Sequence, residues 1–273
     1  MPFAHNHGVK IYWDEQGSGP PVVLIMGLTC PSDVWCHFRA SVLDYRTIAL
    51  DNRCAARSDT ARCTIAAMAS DVAAVMDAAG VRQAHIVGAS LGGIVAQEFA
   101  LKYPQRVRGL VLACTLTGGA YAMVTKFDLM LALIWRALQP PANAIDAFVP
   151  FLYHPETPRE RIDAELKVLK RWAPSRVRLA SQLLAIATYR SLERLPNIAA
   201  PTLVLHGDSD RLVPLSNGKL IANRIPGAEL VIIPRAGHML HTDQPELTYE
   251  VVRHFLRRVD ASMPQEVEAG PSA

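Results

Sequence analysis

The chain alternates two hydrophobic patterns. One is a short unbroken apolar run, seen at Val22–Met26, Arg46–Leu50, His85–Val87, Arg108–Cys114, Thr202–His206 and Glu229–Ile233. Such runs suit strands covered on both faces, and their β-branched residues favour the pleat. Val9–Asp14 alternates more loosely and runs into Gln16-Gly17-Ser18-Gly19-Pro20-Pro21, an opening strand before a turn. The other pattern repeats every three or four residues. It covers Thr64–Ala79, where Ile65, Met68, Val72, Val75 and Met76 share a face and Gly80 follows as the C′ residue. It covers Leu91–Tyr103, stopped by Pro104, and Gln244–Val259, with Leu247, Val251, Phe255 and Val259 inward.

From about Gly118 to Arg190 the strand rhythm lapses. Tyr121–Leu138, Pro158–Trp172 and Ser175–Tyr189 read as helices separated by prolines. Thr157-Pro158-Arg159-Glu160 has the spacing of a capping box with proline at the first helical position. Alternating strands and helices predict an α/β fold: a mostly parallel, doubly wound sheet with right-handed crossovers and an inserted helical cap. The expected division is a first core part at 1–117, a helical cap or lid at 118–191, a second core part at 192–260, and a disordered Pro/Ser/Glu-rich tail at 261–273. In such sheets, sites form at the carboxyl ends of the strands.

Composition narrows the picture. The 273 residues are 50% hydrophobic and 19% charged, enough for one large buried core. The net charge of +3 is modest and scattered, which argues against a nucleic-acid partner. No apolar stretch is long enough to span a membrane, and Met1–His7 has neither the basic nor the apolar part of a signal peptide. Cys30, Cys36, Cys54, Cys63 and Cys114 match no zinc or redox spacing. The expectation is free thiols, a cytoplasmic protein, and no metal or organic cofactor.

The candidate chemistry starts at Gly88-Ala89-Ser90-Leu91-Gly92, between an apolar strand and an apolar helix. A serine there sits on a sharp turn, and the flanking glycines remove β-carbons that would clash. The helix start also points its amides toward that spot. Two later strands run into Gly207-Asp208-Ser209-Asp210-Arg211-Leu212-Val213-Pro214 and Pro234-Arg235-Ala236-Gly237-His238-Met239. A serine, an acid and a histidine thus each follow a strand. A hydroxyl is a poor nucleophile at neutral pH, and an imidazole can take its proton and return it to the leaving group. A buried carboxylate fixes the imidazole tautomer. The developing oxyanion needs two aimed donors, for which the amides of Leu91 and of Leu28 in the Gly27-Leu28 loop are the candidates. Asp208 and Asp210 both remain open as the acid.

Together these motifs resemble the α/β-hydrolase superfamily over about Val9–Val259. The resemblance implies Ser90 as nucleophile, Asp210 as acid through Gly-x-x-Asp-x-x-Val-Pro, His238 as base, and Leu28 and Leu91 as oxyanion-hole residues. It leaves Asp208 as a loop cap. It implies a serine hydrolase of a carboxylic ester or lactone, with a hydrophobic or bulky small-molecule substrate such as a natural-product macrolactone. The alternatives are a C–C bond hydrolase of a dienone acid and a non-catalytic small-ligand receptor on the same fold. Two departures stand out. Met26-Gly27 replaces the frequent His-Gly, so a side chain that could brace the loop is missing. Asp51-Asn52-Arg53-Cys54-Ala55-Ala56-Arg57-Ser58 lacks two glycines of the usual pattern.

Gly27, Cys30, Trp135 and Met239 are candidate substrate contacts. Trp35 and Phe38 suit either the pocket or the core. Phe148, Phe151, Tyr153 and Trp172 suit either a substrate roof or the cap's own core. His85 reads as a packed histidine and His241 as a solvated loop residue. Asp51 and Arg53 read as pins for the loop below the oxyanion hole, and the Lys and Arg residues of Pro158–Arg178 as a solvated helix face.

Overall fold

The computed structural model describes residues 2–119 and 145–262. The expected helix at Tyr121–Leu138, with Trp135, lies outside them, as does the tail from 263 onward. Eight strands form one sheet in the order β1-β2-β4-β3-β5-β6-β7-β8. They are β1 Phe3–Asn6, β2 Val9–Gln16, β3 Pro21–Ile25, β4 Arg46–Leu50, β5 Ala84–Ala89, β6 Val107–Ala113, β7 Thr202–Gly207 and β8 Glu229–Ile233. β1 with β2 and β2 with β4 are antiparallel, and every pair from β4 across to β8 is parallel. The six apolar runs of the sequence are these parallel strands. β1 was not expected: four residues with one buried position carry too little pattern.

The helices between the strands are α1 Cys36–Ser41, α2 Ile65–Ala78 and α3 Leu91–Lys102. Between β6 and β7 the described residues hold α4 Val149–Leu152, α5 Arg159–Arg171 and α6 Arg176–Thr188. α7 Leu215–Arg224, α8 Leu240–Asp243 and α9 Pro245–Ser262 complete the described set. α2 starts as its sequence implies, with the Thr64 hydroxyl accepting from the Ala67 amide at 3.1 Å. It ends with Gly80 at φ 67° and the Val81 amide bonded back to Met76 at 2.8 Å, a left-handed helix stop. α5 departs from expectation. No side chain caps it, and Thr157 instead donates its hydroxyl to Asp243 at 2.5 Å. A tertiary carboxylate has outcompeted the local capping box. α9 continues through Ser262, two residues into the expected tail.

β5 lies inside the sheet, between β3 and β6, and α3 leaves it through Ser90. This junction is packed backbone against backbone. A β-carbon on Gly92 would lie 2.0 Å from the Ile25 carbonyl oxygen, and one on Gly88 would lie 2.3 Å from the Gly92 carbonyl oxygen. α3 therefore seats directly on the end of β3, with Leu91, Ile94, Val95 and Phe99 buried below it. Each such side chain contributes roughly 2 kcal/mol of transfer free energy.

Gly92→Ala should therefore strike at the fold. The expected loss is about 3–5 kcal/mol of unfolding free energy, or failure to accumulate folded protein, because a carbonyl cannot yield as a flexible side chain can. Urea unfolding beside Gly8→Ala, whose β-carbon would meet nothing within 4 Å but whose φ of 82° carries a backbone cost alone, separates the packing effect from backbone strain: Gly92→Ala should cost clearly more.

Candidate active site

Ser90 holds φ 55° and ψ −120°, a conformation that a β-carbon resists. The junction holds it there. Its amide donates to the Ala113 carbonyl at 2.9 Å, and its carbonyl accepts the Thr115 hydroxyl at 2.7 Å. The strained residue thus stands at the carboxyl end of β5, half-buried, beside Gly27. As the first residue of α3, Leu91 has an amide with no carbonyl one turn earlier to receive it.

The Gly27–Ser32 loop, which carries the Leu28 amide, is held from two sides. Asn52 donates its side-chain amide to the Met26 carbonyl at 2.9 Å. Asp51 accepts the Ser32 amide at 2.6 Å and pairs with Arg57 at 2.6 Å. From α6, Gln182 accepts the Thr29 amide at 2.7 Å and donates to the Arg53 carbonyl at 2.9 Å. Gln182 is wholly buried. The brace missing at Met26 is therefore supplied by Asn52 and Gln182. Arg53 itself turns away to Asp71, with two bonds of 2.6 Å.

Asp210 and His238 meet across the ends of β7 and β8. The His238 Nδ1 lies 2.9 Å from Asp210 Oδ2, with both side chains buried. The other oxygen of Asp210 accepts the Leu212 and Val213 amides at 2.9 and 2.8 Å. The carboxylate is thus fixed in place, and it leaves Nε2 of the imidazole as the free nitrogen. Asp208 faces solvent and caps its own loop, accepting the Ser209 hydroxyl at 2.7 Å and the Arg235 amide at 3.1 Å. Burial works to raise its pKa, but these bonds hold it below the ordinary carboxylate value.

The loop bearing His238 is buttressed by residues far away in sequence. Asp243 accepts the Gly237 amide at 2.6 Å, the His154 amide at 3.1 Å and the Thr157 hydroxyl. The Met239 amide donates to Leu152 of α4 at 2.9 Å. His241 is not a solvated loop residue: it pairs with Glu165 of α5 at 2.8 Å. Burial would raise the Glu165 pKa, yet His241 and its other hydrogen-bond donors hold it below the usual range.

Ser90, Gly27, Leu28, Cys30, His238 and Met239 all line one cavity of about 600 Å³. Trp35, Phe38, Phe148, Leu183 and Ile186 add to a mainly apolar wall. Trp35 and Phe38 thus serve both cavity and core. Phe151 and Tyr153 are buried in the packing of the segment, and Trp172 donates its indole N–H to Asp33 at 2.9 Å. His85 packs as expected, 2.9 Å from Asp260. Arg178 departs from a solvated face by binding the loop at residues 56–60, while Arg176 is exposed and also borders the cavity.

One cluster has metal-ligand composition: the donor atoms of Cys114, His206 and Asp210 lie within 4.8 Å of one another. Its hydrogen bonds point to a different role. His206 donates Nε2–H to the Val213 carbonyl at 2.8 Å, so that nitrogen has no lone pair to offer. Both Asp210 oxygens already have partners, and burial pushes the Cys114 thiol well above its ordinary value. Cys114 and His206 thus form a neutral floor beneath Asp210.

A model of the alpha/beta hydrolase family matches residues 22–251. A relative in Azorhizobium caulinodans that carries the name carbamate hydrolase RutD is 28% identical, covering 95% of this chain and 100% of its own. A 2-hydroxy-6-oxononadienedioate/2-hydroxy-6-oxononatrienedioate hydrolase of Comamonas testosteroni is 30% identical, covering 90% of this chain and 91% of its own. Among solved structures, a thermophilic esterase from Thermogutta terrifontis superposes with a TM-score of 0.79 at 27% identity, covering 94% of this chain and 98% of its own.

His206 gives the site a pH signature. Burial lowers its pKa from 6.5, only partly offset by Asp210, so the unfolded chain takes up a proton that the folded chain refuses. Stability should be fully present above pH 6.5 and fall as pH drops below it, by at most about 1.4 kcal/mol per pH unit from this group. His206→Gln keeps a donor for Val213 but cannot titrate, so its urea-unfolding free energy should decline less steeply below pH 6.5. Equal slopes would assign the acid sensitivity elsewhere.

Proposed function

The chain belongs to the alpha/beta hydrolase family, and on that footing we propose that it hydrolyses a carboxylic ester or lactone through an acyl-enzyme on Ser90. The observation that carries this reading is the Asp210–His238 pair, buried and 2.9 Å apart, whose histidine lines the same cavity as Ser90. His238 Nε2 takes the Ser90 proton as the oxygen attacks the carbonyl. Asp210 holds the other ring nitrogen and stabilises the imidazolium. The carbonyl oxygen gains charge against the Leu28 and Leu91 amides, each worth roughly 3–4 kcal/mol in the transition state. The imidazolium then protonates the departing alkoxide. In the second half, His238 takes a proton from water as the water oxygen attacks the acyl carbon; the acyl–Oγ bond then breaks, the imidazolium returns the proton to Ser90 Oγ, and the carboxylic acid leaves.

The cavity supports a hydrophobic or bulky substrate: about 600 Å³ and walled by Trp35, Phe38, Phe148 and Leu183, it has room for a ring or a branched chain. The segment 118–191 serves in this reading as a cap, with α4 and α6 as its described walls. A second reading is C–C bond hydrolysis of a dienone acid. Arg176 favours it, since this exposed arginine is among the residues bordering a mainly apolar cavity and offers a guanidinium for a substrate carboxylate.

With a short nitrophenyl ester, Ser90→Ala should lower kcat at least about a thousandfold. Asp210→Asn should cost at least about a hundredfold in kcat/KM, and Asp208→Asn less than about threefold. The reverse order would overturn the assignment of the acid. A panel of esters, lactones and ring-cleavage dienoates decides between the readings. Faster turnover of a dienoate, lost in Arg176→Met while ester cleavage survives, would select C–C hydrolysis. Tight binding without any turnover would select a receptor.

A further inference from the structure

On the footing of the hydrolytic reading at Ser90, we propose that Gln182 of α6 is a positioning residue, which clamps the strained turn presenting the Leu28 amide and so sets kcat. Gly27-Leu28-Thr29-Cys30 is a tight turn, closed by the Cys30 amide on the Gly27 carbonyl at 3.2 Å. Thr29, its third residue, holds φ 57°. A turn with positive φ at that position ordinarily takes glycine or asparagine, and a β-branched side chain there is an outlier. A return of Thr29 to negative φ would rotate the Leu28–Thr29 peptide, and Leu28 on its other side would move with it. Both ends of that peptide are pinned. The Leu28 carbonyl accepts the Thr29 hydroxyl at 2.8 Å and the Cys30 thiol at 3.4 Å. The Thr29 amide is held from outside the loop, by Gln182 Oε1 at 2.7 Å.

Gln182 lies wholly buried on the stripe of Leu179, Leu183 and Ile186, which line the cavity. An apolar side chain would fill that place without burying an amide. Both ends of the Gln182 amide are used, since Nε2 donates to the Arg53 carbonyl at 2.9 Å. That carbonyl belongs to the peptide in front of Cys54, which holds φ 64°. Gln182 thus grips the peptide preceding each of two strained residues. One turn earlier on the same helix, Arg178 donates to the carbonyl of Ala56, which holds φ 35°. Cys54 and Ala56 stand where the resembling pattern carries glycine. Such strain persists only where neighbours over-determine the backbone, and here they come from one helix.

The cavity wall and the turn bearing Leu28 therefore share α6. Acylation and deacylation both pass through an oxyanion, so a displaced Leu28 amide weakens the transition states and leaves substrate binding nearly untouched.

Turnover of a short nitrophenyl ester tests this. Gln182→Met, of similar length without the amide, should lower kcat at least about tenfold and change KM less than about threefold. Gln182→Glu keeps an acceptor for the Thr29 amide and should hold kcat within about threefold of the parent. Thr29→Gly relieves the strain, so adding it to Gln182→Met should bring kcat within about threefold of Thr29→Gly alone. Arg178→Met loosens α6 at residues 56–60 but keeps the Thr29 bond; its Tm should fall while kcat holds within about threefold. Phosphonylation of Ser90 by a fluorophosphonate, which also sets an oxygen against the Leu28 amide, should follow the same order. Unchanged kcat in folded Gln182→Met, a loss that Thr29→Gly does not repair, or an equal loss in Gln182→Glu or Arg178→Met would overturn the clamp. Where Gln182→Met alone does not fold, recovery of folded protein on adding Thr29→Gly supports the clamp, and failure in both backgrounds overturns it. A parent protein that neither turns over the ester nor takes the fluorophosphonate on Ser90 would overturn the hydrolytic reading, and the clamp with it.

Discussion

The close contact of the α3 backbone with the end of β3 fixes everything built around Ser90. With hydrogen alone at Gly92, the helix start can approach the Ile25 carbonyl, and that approach turns the chain sharply enough to hold Ser90 at positive φ. The strain in Ser90 is held by neighbours, chiefly Ala113 and Thr115 of β6 and its exit. One short contact therefore sets the nucleophile candidate, the first amide of α3 and the distance from both to the Gly27-Leu28 loop.

Around that contact the polar groups are organised as braces. The loop bearing Leu28 rests on Asp51 and Asn52 below and on Gln182 from α6. The loop bearing His238 rests on Asp243, which also gathers His154 and Thr157, while Glu165 takes His241. Both sides of the candidate site are thus tied to the helical segment between β6 and β7. A buried charge is costly unless paired, so these carboxylates also fix the segment's seating. Wall and machinery form one hydrogen-bonded unit, which suits a reaction that gains from excluding water.

The sheet and the chemistry-bearing loops were legible because their signals are local. Buried parallel strands read as apolar runs, and β4 matches its run to the residue; β8 has the expected bounds but, as the edge strand, buries only Ile233 rather than both faces. Ser90 and His238 stand out by residue type beside strand ends. Asp210 needed the wider motif, since Asp208 has the same chemistry two positions away. What was not legible depends on partners distant in the chain. Gln182 meets Thr29 across 153 residues; its one local trace is a polar side chain on the apolar stripe of Leu179, Leu183 and Ile186. Asp243 carries no such trace, and Thr157 misled because a distant carboxylate takes its hydroxyl from the helix end. His241 looked solvated because Glu165 lies 76 residues away.

The proposed chemistry requires Ser90 to be an activated nucleophile coupled to His238. A fluorophosphonate probe, read by peptide mass, tests it most directly, since the probe captures an activated hydroxyl whatever the natural substrate. One adduct on Ser90 is expected, formed at least about a hundredfold more slowly in folded His238→Ala protein. A folded protein that takes no label, or carries it on another residue, would contradict it.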